Sequence, residues 1–194
     1  MGFINPGIGI VKSWQGITEI AIRGALIILA LIMAAAGGSC QSAVGQTNGS
    51  LEIIGLTDSA GGWLVFVGIV IIIYEAVVIA QRFLNVSIIN EQISIVIIID
   101  IVFNFVVAVL IFCAAVALAV YIPRWQGFLP GANALQRSVI ERIIGASGAA
   151  AAFAFLTLFL HIGMGVFMIV GGLVLGWGPT KAKYEGSAGS SGAV

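Results

Sequence analysis

Four stretches of the chain carry almost no polar side chains, and each is longer than the buried elements of a water-soluble domain. The first covers about residues 16–38, with 25–36 wholly apolar. The second covers about 62–81 and is nearly pure Val, Ile and Phe until Tyr74 and Glu75. The third covers about 93–122 and the fourth about 144–177. About 20 such residues cross the hydrocarbon of a bilayer as a helix. The second and third stretches are rich in β-branched residues, as at 69–73 and 95–99, which in water would favour strands. Their length and lack of alternation exclude barrel strands of about 9–11 residues. In lipid, a continuous apolar run satisfies its backbone internally as a helix. The pattern predicts an all-α, four-helix transmembrane bundle with a four-span domain over residues 1–178.

The connections differ in character. Residues 39–61 are polar and Gly-rich, residues 81–92 form a short link, and residues 123–143 contain Pro123-Arg124-Trp125 and a Pro130-Gly131 turn. After that turn, Leu135, Val139, Ile140, Ile143 and Ile144 recur at helical spacing, which predicts a short amphipathic helix in the second outer loop, leading into the fourth span. The Gly/Ser-rich tail over 179–194 reads as a flexible linker. No repeat relates the two halves, which disfavours an inverted-repeat transporter. Ala34-Ala35-Ala36 fits a signal-peptidase pattern, but the segment is read as a retained span. Met1-Gly2 does not fit N-myristoylation, because position 6 is Pro6 rather than Ser or Thr.

Composition agrees with this reading. Charged residues are 8% of 194 and hydrophobic residues 60%, with a mean hydropathy of +1.17. A domain this small cannot cover its surface with so few polar groups, and disorder is excluded on the same grounds. The net charge of zero offers no basic excess for nucleic acid, and two cysteines are too few for a disulfide scaffold.

An even number of spans puts both termini on one side. Lys12, Arg23, Arg82, Lys181 and Lys183 then lie on or near that side, against Arg124, Arg137 and Arg142 on the other. The bias favours cytoplasmic termini. Of two sequons, Asn48-Gly49-Ser50 and Asn85-Val86-Ser87, only Asn48 would then face the outside as a glycosylation site. Trp14, Trp63, Trp125 and Trp177 each sit near a span end, where indoles anchor helices in the interface.

The ionisable residues inside the spans are the candidate chemistry. Arg23, Glu75 and Asp100 each fall about seven to nine residues from the cytoplasmic boundary, roughly 10–13 Å deep at about 1.5 Å per residue. Ions in hydrocarbon pair and face the bundle interior, so Arg23 is expected to meet Glu75 or Asp100. Glu19, four residues before Arg23, could pair with it alone, in which case one of the other acids must be held neutral. Asn104 lies one turn after Asp100 on the same face. His161, the single histidine, is expected to make a hydrogen bond between helices. The cluster either fixes helix register or relays protons or cations.

Small residues concentrate in the first and fourth spans, as at Ala34-Ala35-Ala36-Gly37-Gly38 and from Gly145 to Ala152. They allow close helix packing within the bundle or between copies. Cys40 and Cys113 lie at different depths, which disfavours a disulfide, and both read as packing residues. One histidine excludes a His-rich metal centre. No P-loop, Gly-x-Ser-x-Gly or His-Glu-x-x-His motif occurs, so neither enzyme activity nor a cofactor or metal is expected.

The run Ile99-Asp100-Ile101-Val102-Phe103-Asn104-Phe105, continuing to Cys113-Ala114-Ala115, resembles the third helix of MARVEL-domain proteins. The stretch from Ala149 through Phe153-Ala154-Phe155 to Leu160 is similar to that family's Ala-rich last helix. Arg23 and Asp100 match charged positions in the first and third helices of the related Casparian-strip membrane proteins. The resemblance covers most of residues 16–177. It implies a four-helix domain with cytoplasmic termini in a plasma or vesicle membrane, and roles in vesicle biogenesis, junctions and lateral membrane organisation. The partners implied are membrane lipids, sterol among them, further copies of the chain and other membrane proteins. Glu75 has no counterpart in the family pattern. Claudins share the topology, but the first loop lacks their tryptophan and paired cysteines. The run Ile73-Tyr74-Glu75 is similar to the ion-carrying helix of rotary-ATPase proteolipids, without their glycine repeat or duplication. The expectation is a non-enzymatic tetraspan that organises membrane domains by lateral self-association. The alternative is a small channel or proton-coupled carrier using Glu75 and Asp100.

Overall fold

The computed structural model describes residues 14–44, 52–84 and 93–174. Asn48, the sequon at Asn85, Lys12, Lys181, Lys183, Trp177 and the tail over 179–194 lie outside the described residues. The elements are α1 (Trp14–Val44), α2 (Glu52–Leu84), α3 (Ile93–Gln126), a 3₁₀ turn (Leu129–Gly131) and α4 (Ala134–Met168), which widens into a π turn over Ile169–Val174. No strand occurs among the described residues. Four helical segments, Gly16–Val44, Thr57–Gln81, Ile98–Gly131 and Ala134–Gly171, are long and apolar enough to cross a membrane.

The helices outrun their apolar cores. The polar stretch at 39–61 is not one long loop, because α1 continues to Val44 and α2 begins at Glu52. Ser39, Gln41 and Ser42 occupy exposed helical positions. Such residues tolerate helix, and extending it keeps backbone groups bonded where the chain leaves the hydrocarbon. The third connection contracts likewise. Pro123 is taken into the last turn of α3, and the freed end is closed by the Gly127 N–H donating to the Pro123 carbonyl at 3.1 Å. Asn133 caps α4 through a reciprocal capping box with Gln136, with bonds of 3.0 and 3.1 Å. The stretch from Leu135 to Ile144 is therefore the opening of α4 itself rather than a separate helix: Ile140 and Ile143 are buried and Leu135 is exposed.

Successive helices run antiparallel. On α1 and α2, a Cβ at Gly37 would lie 2.8 Å from the Gly61 carbonyl oxygen, and one at Gly68 would lie 2.9 Å from Ala34 Cβ. These glycines let two backbones touch, as small residues do between membrane helices. Cys40 reaches Ser147 on α4, and Gly165 of α4 receives the ring of Phe105 from α3. Each helix thus has two main neighbours in the ring α1–α2–α3–α4, with the α2–α3 face the smallest of the four. By contrast, Gly24, Gly145 and Gly163 meet no neighbouring atom within 4 Å. The small residues therefore divide between contacts inside the bundle and positions that meet no neighbouring helix.

The interior and exterior are chemically inverted relative to a soluble protein. Ile28 is 60% exposed, Val109 61% and Phe159 66%, whereas Arg23, Glu75, Asn104 and His161 are 0% exposed. A surface of large aliphatic and aromatic groups with the ions inside is stable only when lipid is the outer solvent.

Trp125 departs from its expected anchoring role. It is 2% exposed, and its indole N–H donates to Thr57 Oγ1 of α2 at 3.1 Å. Because α3 continues past Pro123, the ring turns into the bundle, where Thr57 supplies the acceptor that a buried indole requires. Trp63 is 41% exposed at the same end of the bundle.

Candidate functional site

All four helices send a polar side chain to one level, toward the end where α1 begins. Arg23 of α1 is the hub. Its Nε donates to Glu19 Oε1 at 3.1 Å, one turn earlier on the same helix. Its Nη1 donates to Glu75 Oε2 of α2 at 2.6 Å. Its Nη2 donates to Asp100 Oδ2 of α3, and Nη1 lies 3.4 Å from Asp100 Oδ1. A planar guanidinium suits this task, because its fork of donors satisfies several carboxylates without deprotonating. Apolar flanks force the arrangement: in an otherwise apolar run, an arginine has no other means of recovering its lost hydration.

The Tyr74 hydroxyl donates to Asp100 Oδ1 at 2.9 Å, while its ring stacks on Phe103 of α3 with centroids 3.6 Å apart. Asn104 Nδ2 donates to the Asp100 carbonyl oxygen at 2.8 Å and lies 3.3 Å from Asp100 Oδ1. With its amide nitrogen so committed, Asn104 Oδ1 is an acceptor. His161 Nδ1 of α4, 2.8 Å away, is therefore the donor. This assigns neutral His161 the Nδ1–H tautomer, with a lone pair on Nε2. Phe103 meets the imidazole edge-on at 6.5 Å. Two buried polar atoms of the network have no hydrogen-bond partner, Glu75 Oε1 and His161 Nε2.

Glu19, Arg23, Glu75, Asp100, Asn104 and His161 thus form one connected set, and Tyr74 joins it. Tyr74 is hard to single out from the sequence, because a neutral aromatic in an apolar span is not forced to find an ionic partner. Its position beside Glu75 is the sequence signal that points to it. Beyond the network, Met33, Leu64, Ile71, Ile111 and Ala154, all 0% exposed, fill the bundle toward the other end. The next polar contacts in that direction are Thr157, which donates to the Phe153 carbonyl oxygen of its own helix at 2.7 Å, then Cys40 Sγ with Ser147 Oγ at 3.1 Å and the Trp125–Thr57 bond. The two cysteines are free, Cys40 buried and Cys113 exposed. Among the described residues no three of His, Cys, Asp and Glu converge as metal ligands. Although Glu19, Glu75 and Asp100 are close, the guanidinium stands between them.

No family model, curated protein or solved structure matches the chain.

Proposed function

We infer that this protein is a non-enzymatic tetraspan that organises membrane or vesicle domains, with its termini in the cytoplasm, in the manner of the MARVEL-domain proteins it resembles. The observation that carries the reading is the closed ion cluster. Arg23 is fully buried and engaged on three sides by the acidic side chains of Glu19, Glu75 and Asp100, and a largely apolar layer separates it from the far end of the bundle. Such a cluster specifies which faces of the helices meet. Buried ion pairs add little net stability, and specificity of packing is their better-supported role. A fixed bundle then presents a constant outer surface to lipid and to other copies. On α4 that surface includes Gly145, Ala149, Ala152 and Gly163, all exposed in the single chain. Small outward residues permit close helix approach between copies.

The carrier reading requires an aqueous route to Glu75 from both sides, and the buried side chains of Met33, Leu64, Ile71, Ile111 and Ala154 lie between the cluster and the far end, which supports the closed reading. Two measurements on the full chain test the proposal. Chemical cross-linking and single-particle tracking in native-like membranes should show oligomers with confined diffusion. Proteoliposomes should show no proton or cation flux above that of protein-free vesicles. Freely diffusing monomers, or a flux abolished by both Glu75→Gln and Asp100→Asn, would refute it.

A further inference from the structure

The two buried acids of the cluster are not equivalently held. Asp100 is saturated: Oδ1 accepts from Tyr74 and lies within reach of Asn104 and Arg23, and Oδ2 accepts from Arg23. Glu19 lies toward the rim, its side chain 14% exposed. Glu75 is 0% exposed and only its Oε2 is engaged, leaving Oε1 without a partner inside the bundle. An ionised carboxylate in a dry interior draws donors to both oxygens, whereas a protonated one carries its own hydrogen on one of them. The charge balance agrees. The single guanidinium is already matched by Asp100, so an ionised Glu75 would be a net buried charge, which hydrocarbon disfavours strongly.

We propose that Glu75 is a resident, exchangeable proton-binding site, with the proton on Oε1, and that Asp100 is the permanent counter-ion of Arg23. One unengaged oxygen suffices for a proton, whereas a dehydrated Ca²⁺- or Mg²⁺-like cation takes six or more ligands. The titratable and charged groups around Glu75 are Glu19 and Arg23 from α1, Tyr74 on its own helix and Asp100 from α3. His161 of α4 joins through Asn104, and its Nε2 has no acceptor in the bundle for the second N–H that an imidazolium would carry. Losing the proton places a second full negative charge beside Asp100 at the α2–α3 face, the smallest in the ring. The inference stands independently of the membrane-organising reading.

The test is infrared difference spectroscopy of the full chain in lipid vesicles, titrated through the neutral range. The carbonyl stretch of a protonated carboxylic acid is well separated from carboxylate bands. One acid band should be present at neutral pH. It should move when glutamate carboxyls are isotopically labelled and stay when aspartate carboxyls are. It should vanish in Glu75→Gln and persist in Glu19→Gln. Absence of the band at neutral pH overturns the proposal, as does its displacement by the aspartate label or its loss on adding sodium at fixed pH. If Glu75→Gln does not fold, Glu75→Asp keeps an acid at the position: the band should then move with the aspartate label and no longer with the glutamate label, and a band still moved by the glutamate label overturns the assignment.

Discussion

Tyr74 makes the network's most informative neutral contact. Its hydroxyl is one of Asp100's donors, and its ring is held by Phe103. Tyr74→Phe keeps the stacking and removes the donor, so unfolding in mixed micelles should show a loss of about 1–2 kcal/mol, the range for a hydrogen bond to a charged or membrane-buried acceptor. His161→Leu leaves Asn104 Oδ1 without its donor and should lose a similar amount, about 1–2 kcal/mol. An effect within error for both would mean that the network is not formed. An ion inside an apolar run must find a partner, so Glu19, Arg23, Glu75 and Asp100 can be picked out from the sequence alone. Tyr74 and Trp125 cannot: a neutral aromatic inside a span needs no ionic partner, and a tryptophan near a span end fits the interface equally well. Only the fold shows that a Thr57 acceptor, 68 positions away, meets the indole.

At the scale of the element, the α1–α2 seam depends on backbone contact at glycine. A Cβ at Gly61 would lie 2.9 Å from the Gly37 carbonyl oxygen, and one at Gly68 would lie 3.0 Å from the Ala30 carbonyl oxygen. Backbone atoms cannot give way as a flexible side chain does. Gly61→Ala and Gly68→Ala should each destabilise by about 1–3 kcal/mol, as overpacked cores do. Gly145→Ala and Gly163→Ala meet nothing within 4 Å and should be neutral, or gain up to about 1 kcal/mol from helix propensity. Thermal unfolding of the four variants separates the two sets, and equal effects would contradict the seam. Asn133→Ala removes the side-chain cap of α4 and should lose about 0.5–2 kcal/mol. Small-residue runs are legible in the sequence, but which of them touch a neighbour is not, because that depends on helix rotation. Helix ends are hidden for a related reason: Ser and Gln at 39–42 look loop-like by polarity yet accept helical geometry, and Pro123 is tolerated in a last turn that has few bonds left to lose.

For the whole molecule, the long apolar runs make four crossings the most legible property, because hydrocarbon admits so few backbone solutions. Single cysteines introduced at 48 and at 128 should label with an impermeant reagent from one side of the membrane, and one at 88 from the other. Any other pattern would break the up–down–up–down path. The central contact is that of Arg23 with Asp100, which holds helices α1 and α3 in register from within. A double-mutant cycle of Arg23→Met and Asp100→Asn, read as unfolding free energy in bicelles, measures that contact alone. Each single change strands its partner and should lose about 3–5 kcal/mol, while the double variant should lose little more than either one, a coupling of at least about 2 kcal/mol. Additive losses would place the two residues apart and contradict the account.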